Sequence, residues 1–541
     1  MSEPDGYLAA THEVLNQPRA LENYSLYSGD AALREGVARE GAGWADNELT
    51  GFGAAAGTAE SLELGHLANK FPPEFDSHDR FGHRVDLVRF HPAYHQLIKS
   101  AIENGLHSSP WTEPKPGAHV ARAARFYMQS QIEAGHGCPI TMTFASVAAL
   151  RRQPDLAAQW LPKITARVYD SRNIPAEQKH GLTVGMAMTE KQGGSDVRAN
   201  TTRAIPAGDG TYELVGHKYF VSAPMCDLFL VLAQAPGGLT CFLLPRWRPD
   251  GTKNPLQIQR LKNKMGNKSN ASSETELRGA LAWRVGEEGR GVATILDMVA
   301  MTRFDCMIGS SAGMRMAAAQ ALFHCGQRFA FGKKLIEQPL MQNVLADLAL
   351  ESEAALSLTL RLARALDQGE DLLMRLATAV GKYWICKRTP NHAYEAMECI
   401  GGSGVMEDGP MPRLFRESPV NAIWEGSGNV QCLDVLRAIG KTPDVLEAFF
   451  AEFETGHALL DSHVEALKRD LADLTDAECR ARDLVDRMAT GLQAALLLRF
   501  APDFVAEGFA VSRLDGRGHH NYGALPPSVD RLAIIRRAMP A

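Results

Sequence analysis

The feature that most constrains the fold is a change of hydrophobic pattern at two points along the chain. From about Gly181 to about Gly291 the apolar residues come in short runs, among them "YELVG", "DLFLVLAQ" and "LTCFLLP", separated by "AGDG", "APGG" and "RPDGTKNP". Apolar runs of four to eight residues bounded by glycine and proline are typical of β-strands. This part of the chain is therefore predicted to form a compact β domain.

Helical patterns flank this region on both sides. On the N-terminal side, "HVARAARFYMQSQIEAG" consists of good helix formers and stops at a glycine, which predicts a helix. Beyond Gly291, apolar residues recur at spacings of three and four, which predicts amphipathic helices. The bundle-core stripe comprises Val344, Leu345, Leu348, Ala355, Leu358, Leu362 and Leu366.

The order of these patterns predicts an α+β fold in four parts. A mainly α-helical N-terminal domain (1–180) precedes the β domain (181–291), a C-terminal helical bundle (292–440) follows, and an extra α-helical module (441–541) comes after "GKTP". A chain of 541 residues exceeds the size of one ordinary hydrophobic core, so several subdomains are expected.

Composition bounds the environment and the partners. The formal net charge of −6 gives no global attraction to nucleic acid or anionic lipid. The nine cysteines are scattered without a Cys-x-x-Cys pair, which favours a reduced compartment over a disulfide framework or a zinc site. The start of the sequence has no signal-peptide pattern, and no apolar run reaches 18 residues. We expect a cytoplasmic protein with no metal and no membrane contact.

A glycine-rich turn stands at the entry to the β domain, in "MAMTEKQGGSDVRANTTRA". Thr189 and Glu190 close an apolar run, two glycines follow, and then Ser195 and Asp196. A hydroxyl beside free backbone N–H groups can hold a flavin edge or a phosphate. Taken alone, the segment is equally well explained as a polar β turn.

Five motifs in a fixed order resemble the acyl-CoA dehydrogenase family. They are "MTEKQGGSD", "GHKYFVSAP", "RFAFGKKLIEQP", "ECIGGSGV" and "IWEGSGNVQ". Further segments, "LYSGDAALREGVAREGAGW", "NKSNASSETE" and "MTRFDC", resemble the branch of that family that acts in the bacterial adaptive response to DNA alkylation and carries an extra C-terminal module. The resemblance covers essentially the whole chain. It implies the acyl-CoA dehydrogenase fold, FAD as cofactor, an acyl-CoA or related small molecule as substrate, and a homotetramer, because FAD contacts cross subunits in the family.

The resemblance also assigns roles to residues. Thr189 contacts the flavin ring, Ser195 the phosphates, and the segment 220–222 the other flavin edge. Arg328 and the residues after it reach the FAD of a neighbouring subunit, the glycines at 401 and 402 approach its diphosphate, and Asn429 lies on the adenosine side. The predicted FAD-binding residues are Met186, Met188, Thr189, Gly194, Ser195, Phe220, Val221, Ser222, Arg328, Phe331, Gln338, Gly401, Gly402, Ile423, Gly426, Ser427 and Asn429.

Several of these residues have simpler explanations. Ser222 could be a strand-end hydroxyl bonded locally, Arg328 half of a surface ion pair, and Gly401 a helix C-cap.

Glu425 is the predicted catalytic base. Removal of an α-proton from a thioester needs a base, and a carboxylate beside the aromatic Trp424 is desolvated, which raises its pKa toward the working range. The resemblance implies that one branch of the family carries its glutamate at this position. In the isovaleryl-type branch it lies in the region matching "MVAMTRFDC", at Thr302 or a close neighbour, where no acid stands before Asp305. The alternative is a glutamate at a helix N-terminus, favoured by the macrodipole.

Departures from the family pattern indicate a restricted site. The family usually has proline where this chain has Lys191, and tyrosine where it has Trp424. The larger Trp424 is expected to narrow the acyl cavity unless it only packs in the core. Arg303 and Arg437 are predicted to lie near the substrate. The predicted chemistry is slow α,β-dehydrogenation of a short or branched acyl-CoA.

Two rival functions follow from the same residues. One is a protective protein that binds double-stranded DNA and keeps FAD for structure or for another ligand; the other is an ordinary catabolic acyl-CoA dehydrogenase. The extra module carries 12 Lys and Arg against 16 Asp and Glu, which does not favour phosphate binding. Only the tail of this module has an excess of basic residues: Arg513, Arg517, Arg531, Arg536 and Arg537. A solvated helix face explains these arginines equally well.

Overall fold

The computed structural model describes residues 11–473, 475–515 and 521–540. The N-terminal part is mainly helical, as predicted, and "HVARAARFYMQSQIEAG" forms most of the sixth helix, which ends at Ile132, three residues before the glycine. A small antiparallel hairpin interrupts the helices, which the sequence patterns did not predict. The elements are α1 (Ala31–Val37), α2 (Asp46–Ala56), α3 (Ala59–Lys70), β1 (Glu74–His78), β2 (Arg84–Arg89), α4 (Pro92–Glu103), α5 (Ser109–Thr112), α6 (Ala118–Ile132), α7 (Gly137–Leu150) and α8 (Pro154–Ile164).

The predicted β domain is a closed sheet. The three quoted apolar runs lie in the fifth, sixth and seventh strands, which confirms the strand prediction. The strands are β3 (Val184–Ala187), β4 (Arg203–Pro206), β5 (Thr211–Ser222), β6 (Leu228–Ala235), β7 (Gly238–Pro245), β8 (Leu256–Leu261) and β9 (Ser272–Val285).

Strand pairing runs β6–β4–β5–β9–β7, and a further β6–β7 pairing closes this path into a barrel. Strand β3 pairs in parallel with the start of β6, and β8 pairs with β9. Strands β6 and β7 are buried along almost their full length, so the barrel interior is a continuous apolar core.

A helical bundle follows the barrel. The predicted apolar stripe lies along one helix of this bundle. Leu345, Leu348, Ala355, Leu358 and Leu362 are buried, whereas Val344 and Leu366 are half-buried and pack against the same core. The elements are α9 (Gly291–Cys325), β10 (Phe329–Ala330), β11 (Lys333–Lys334), α10 (Pro339–Gln368), α11 (Asp371–Ile400), α12 (Met411–Glu417) and α13 (Gly428–Lys441).

The extra C-terminal module is helical and packs on the bundle. Arg–carboxylate pairs fasten it to α10: Arg361 lies 2.6 Å from Glu452, and Arg537 lies 2.9 Å from Glu353. Removing one partner of a buried pair is strongly destabilising, so these contacts fix the module in place. Its helices are α14 (Asp444–Phe450), α15 (Ala458–Ala472), α16 (Ala477–Phe500), α17 (Asp503–Arg513) and α18 (Arg531–Ala538).

Within the described ranges 11–473, 475–515 and 521–540, the structure has no helix with the length and apolar character needed to cross a membrane.

Candidate active site

The predicted base lies in a strained turn between the bundle and the barrel. Glu425 sits between a 3-10 turn (Val420–Ala422) and the start of α13, and its φ of 58° is left-handed. Gly426 follows with a φ of 102°. A non-glycine residue rarely adopts positive φ unless the surroundings impose it, and such strain concentrates at functional sites.

The Glu425 carboxylate accepts a hydrogen bond from helix α9. The Thr302 hydroxyl, buried on α9, donates to Glu425 Oε2 at 2.9 Å. Helix α13 begins only at Gly428, so the macrodipole explanation for Glu425 is not favoured. Thr302 is also the position expected for the base in the isovaleryl-type branch. The two sequence positions expected to carry a base therefore meet at one place in the fold.

The surroundings shift the pKa of this carboxylate in opposite directions. The side chain is half-buried, and desolvation, the largest influence, raises the pKa of Glu425 above its ordinary value. The Thr302 hydrogen bond and the positive charges of Lys382 and Arg303 lower it by smaller amounts. The net rise is what a general base working near neutral pH requires.

Hydrogen bonds to the backbone hold the turn. Arg303 Nε and Gln431 Nε2 each donate to the Glu425 carbonyl at 3.0 Å. Lys382 Nζ donates to the carbonyls of Trp424 at 2.8 Å and of Gly426 at 2.6 Å. Arg303 was predicted beside the substrate; the structure has it under the turn, while Lys382 was not predicted at all.

Arg303 belongs to a charge cluster behind the turn. Its guanidinium lies 2.8 Å from Asp434, which also pairs with Arg375 at 2.8 Å. Arg437 pairs weakly with the same carboxylate at 3.4 Å, and its side chain is largely exposed. Arg303 and Arg437, predicted separately, therefore share one anionic partner on α13.

Trp424 lies between the bundle and the barrel. Its indole N–H donates to Asn421 Oδ1 at 2.9 Å, and its ring packs against the barrel core, as Met186, Met188 and Met301 do. The ring is therefore part of the packing, and it covers the same core as the predicted flavin-binding methionines. The two interpretations of Trp424 are compatible in this geometry.

The glycine-rich turn is anchored by a fully buried ion pair. Lys218 Nζ lies 2.7 Å from Glu190 Oε1 and donates also to the Leu232 carbonyl at 2.7 Å. The Glu190 carboxylate accepts the backbone N–H groups of Thr201 at 2.7 Å and Thr202 at 3.2 Å. Burial alone would raise the pKa of Glu190, but Lys218 and these hydrogen bonds lower it to about 2. The carboxylate thus stays charged and holds the turn.

The residues predicted to contact the flavin border this anchored turn. Met186, Met188 and Thr189 are half-buried at the end of β3, while Gly194 and Ser195 are exposed at the tip of the turn. We refer to these residues, together with the segment 220–222 and Glu425, as the inner set.

The end of β5 supplies the other predicted edge. Ser222 is half-buried, with its hydroxyl 3.4 Å from that of Ser272, so a local partner exists as well. Val221 is buried and Phe220 is exposed, with Lys262 above its ring at 4.6 Å.

A second group of predicted residues faces away from this chain. Phe331 is 98% exposed at the tip of the β10–β11 hairpin, and Ile423 is 66% exposed. Gln338 Nε2 donates to the Ala330 carbonyl at 3.2 Å and so supports the hairpin. We call Arg328, Phe331, Gln338, Gly401, Gly402 and Ile423 the outer set.

Arg328 is held by the N-terminal segment. Its guanidinium donates to the Asn16 carbonyl, and the Asn16 side chain exchanges two hydrogen bonds with the Phe329 backbone, at 2.9 and 2.8 Å. Among the described residues, Arg328 therefore forms hydrogen bonds to the backbone rather than the surface ion pair considered for it. Asn16 had no sequence signal and was missed.

The two glycines of the outer set test whether this surface fits a ligand. Gly401 ends α11 with a φ of 73°, so a helix cap explains it. Gly402 has no positive φ, and a Cβ added there would meet nothing within 4 Å. Neither backbone strain nor packing within the chain accounts for this glycine, whereas close approach of a cofactor or a neighbouring subunit does. The residues present therefore fit the implied FAD.

The start of α13 connects the site to the extra module. Ser427 is the extended N-cap residue, and a Cβ on Gly426 would approach Gln431 Nε2 to 2.6 Å. The exposed Asn429 accepts a hydrogen bond from Arg482 on α16 at 2.9 Å. The residue predicted on the adenosine side is therefore held by the C-terminal module.

The basic tail is partly neutralised. Arg513 on α17 pairs with Asp347 and Glu351, and Arg537 pairs with Glu35 at 2.6 Å and with Glu353. Of the five arginines noted in the sequence, Arg517 lies outside the described residues, and only Arg531 and Arg536 are described without an ion pair.

A cavity of about 220 Å³ lies among the N-terminal helices, lined by residues such as Phe52, Gln129 and Ile132, and none of the predicted site residues borders it.

Three family models match successive parts of the chain. Residues 16–171 match the family model "Adaptive response protein AidB N-terminal domain". Residues 185–280 match "Acyl-CoA dehydrogenase, middle domain", and residues 289–440 match "Acyl-CoA dehydrogenase, C-terminal domain".

One protein and two solved structures illustrate the similarity. AidB of Escherichia coli (strain K12), which is named as an acyl-CoA dehydrogenase, is 48% identical over 517 residues, covering 94% of this chain and 95% of that protein. The structure of Caenorhabditis elegans ACDH-11 in complex with C11-CoA has a TM-score of 0.85 and 27% identity over 95% of this chain and 94% of that one. An acyl-CoA dehydrogenase from Bacillus anthracis complexed with FAD has a TM-score of 0.65 at 19% identity, covering 78% and 81%.

Proposed function

The chain belongs to the acyl-CoA dehydrogenase family, as a relative of AidB, and from this premise we propose a specific function for it. It is a cytoplasmic FAD flavoprotein that slowly removes the α- and β-hydrogens of a short or branched acyl-CoA. It acts within the adaptive response to DNA alkylation, and Glu425 is its base.

The observation that carries this proposal is the setting of Glu425. Its carboxylate is half-buried, bonded by Thr302 at 2.9 Å, and has a raised pKa. A solvated surface glutamate has none of these properties, and a purely structural buried carboxylate is normally paired with a cation in direct contact. Glu425 has a hydroxyl as its hydrogen-bond donor instead, which leaves it able to accept a proton.

The chain's residues divide the chemistry between them. Glu425 takes the α-proton of the thioester, and the electrons of that C–H bond form the new double bond as a hydride leaves the β-carbon. FAD, when bound, supplies the hydride acceptor. The Thr302 hydroxyl keeps the carboxylate in one orientation, and the ring of Trp424, which precedes Glu425 in the chain, restricts the acyl group.

The inner set would hold the flavin ring and phosphates from within the same chain. The outer set supports a homotetramer, in which the exposed Phe331 and Ile423 are covered by a neighbouring copy and Arg328 reaches that copy's FAD. Large exposed apolar side chains grouped on one face mark association surfaces. The four-part division at 180, 291 and 440 remains our description of the domains.

The test is anaerobic mixing of FAD-loaded protein with short and branched acyl-CoA thioesters. We expect the flavin absorbance to bleach with at least one of them, isovaleryl-CoA being the first choice. If none of the thioesters bleaches the flavin, the dehydrogenase proposal is wrong.

The rival function, binding of double-stranded DNA, has weaker support. A protein that holds a duplex through phosphates needs free clustered cations, whereas Arg513 and Arg537 are engaged in ion pairs within the chain. Retention of duplex on the protein at low salt, lost at high salt and lost on removing residues after 440, would favour the rival. Absence of retention at low salt would exclude it.

A further inference from the structure

A buried lysine joins both flanks of the base. Lys382 lies in the middle of α11 and is 1% exposed. Its ammonium donates to the carbonyl before Glu425 at 2.8 Å and to the carbonyl after it at 2.6 Å. These two hydrogen bonds bridge the left-handed residue from one side, while Arg303 and Gln431 hold its own carbonyl from the other.

The charge of Lys382 has no ordinary structural explanation. Within the described ranges it forms no ion pair, whereas two other buried lysines, Lys179 beside Asp227 and Lys218 beside Glu190, each contact a carboxylate at 2.7 Å. A buried cation without a paired anion is costly. The two hydrogen bonds that Lys382 donates therefore indicate a role in the turn that it binds.

We infer that Lys382 is a positioning residue, whose ammonium holds the left-handed turn so that the Glu425 carboxylate points at the substrate's α-carbon. The part of this inference that concerns the substrate rests on the proposed function. The hydrogen bonds that hold the turn are a property of the chain itself. A side chain without a donor at this position would leave the Trp424 carbonyl without its hydrogen bond from Lys382 and the Gly426 carbonyl with Gln431 Nε2 as its side-chain donor, at 3.0 Å. The turn would then relax toward a negative φ.

Lys382 acts on Glu425 in two separable ways. It fixes the backbone, and its positive charge lowers the pKa of Glu425 against the larger effect of burial. The other ionisable groups around this carboxylate are Arg303 and Cys306 on α9 and Cys138 on α7. Burial raises the pKa values of both thiols, so they stay neutral and add no negative charge beside Glu425.

Three variants separate these effects. Lys382→Met removes charge and hydrogen bonds, Lys382→Gln removes the charge but keeps an N–H donor, and Lys387→Met removes an exposed cation from the same helix as the matched control. All three are prepared as the full-length, FAD-loaded protein.

The first readout does not depend on turnover. Hydrogen–deuterium exchange is followed in the peptide that spans residues 420–430, where the amide N–H groups of Ile423 and Trp424 are hydrogen-bonded to the Val420 carbonyl. We expect exchange in this peptide to be at least about 10-fold faster in Lys382→Met, with exchange in the barrel unchanged. Lys387→Met should exchange as the wild type does.

The second readout is the pH profile of flavin reduction by isovaleryl-CoA. Misplacement of a base by about 1 Å can reduce a rate about 100-fold, and we expect a loss of this size in Lys382→Met. The pH midpoint should move upward in both Lys382→Met and Lys382→Gln, because both lack the cation, whereas Lys382→Gln should keep much of the rate at high pH.

The two proposals fail in different ways. Wild-type exchange in the 420–430 peptide of Lys382→Met would overturn the positioning role, whether or not the flavin is reduced. If the wild-type flavin is never reduced but exchange accelerates as expected, the turn-holding role of Lys382 stands and the dehydrogenase function fails.

Discussion

The inner and outer sets of the predicted FAD site are built in opposite ways. The inner set is held by contacts within one chain: the Glu190–Lys218 pair anchors the glycine-rich turn, and Thr302 and Lys382 fix Glu425. The outer set has few such contacts, and its Phe331 and Ile423 project into solvent.

This difference indicates which parts of the site one chain can complete alone. A surface with internal support keeps its shape when the neighbour is removed, whereas an exposed apolar hairpin gains its order from association. The inner set should therefore depend on the stability of the fold, and the outer set on assembly.

The largest expected effect comes from breaking the anchor of the inner set. Lys218→Met leaves the Glu190 carboxylate buried without its cation, which should lower the free energy of unfolding by about 3–5 kcal/mol. FAD should be lost from the same variant. Urea unfolding followed by circular dichroism measures the first effect, and the ratio of flavin to protein absorbance measures the second.

Two controls accompany this variant. Arg278→Met breaks the exposed pair with Glu276 and should cost at most about 1 kcal/mol. The double variant with Glu190→Gln should recover much of the lost stability. Equal stability of Lys218→Met and wild type would show that the pair does not anchor the turn.

The outer set should behave in the reverse manner. Phe331→Asp puts a charge on a side chain that is 98% exposed in one chain, so the stability of the folded chain should change by no more than about 0.5 kcal/mol. Association should weaken by about 2 kcal/mol or more, seen as a lower mass in light scattering. Phe81→Asp, on the exposed N-terminal hairpin, is the matched control and should leave the mass unchanged. A tetrameric Phe331→Asp protein would contradict the division into two sets.

The next effect concerns Glu417, a buried carboxyl at the end of α12 beside the α6–α7 loop. Burial raises the pKa of Glu417 to about 8, with the charge of Glu133 adding to the rise and Arg413 opposing it. In the unfolded chain its pKa is about 4.3. Between these values the folded protein holds a proton that the unfolded chain lacks, so the free energy of unfolding falls as the pH rises.

Glu417→Gln removes this contribution. Relative to wild type, the variant should gain about 3 kcal/mol in going from pH 5.5 to pH 8.5, measured by thermal unfolding at the two pH values. The pKa of Glu407 is lowered by the contact with Arg416, so Glu407→Gln should show no gain over the same range. A flat difference for Glu417→Gln would show that the carboxyl is ionised in the folded protein.

The smallest expected effect is at Asn16. Asn16→Ala removes the two hydrogen bonds to Phe329, worth about 1 kcal/mol each, and loosens the backbone that fixes Arg328. FAD occupancy after gel filtration should fall a few-fold while the fold is retained. Asn104→Ala, which removes one exposed bond to the Ser100 carbonyl, should have full occupancy. Unchanged FAD occupancy in Asn16→Ala would show that the N-terminal segment does not support the cofactor site.

The fold could be predicted from local patterns because those patterns are periodic. Short apolar runs bounded by glycine and proline identified β5, β6 and β7, and three-to-four spacing identified the stripe on α10, without any knowledge of packing. The β1–β2 hairpin was missed because "EFDSH" and "RVDLVR" are short and partly charged.

The site was predictable only in part. Motif order directed attention to Glu425, but the contacts of Lys382 and Asn16 join residues far apart in sequence. Such contacts depend on how helices cross and on which backbone turns are strained, and neither property has a local sequence signal. The same reason explains why the hydrogen bond from Arg303, which is predicted to lie near the substrate, to the Glu425 carbonyl had no sequence signal.

The most direct test of the central claim is anaerobic bleaching of the bound flavin by isovaleryl-CoA in wild type and in Glu425→Gln, at equal FAD content. The account predicts bleaching in the wild type and a rate at least about 100-fold lower in Glu425→Gln. Bleaching at equal rates in the two proteins, or none in the wild type, would contradict it.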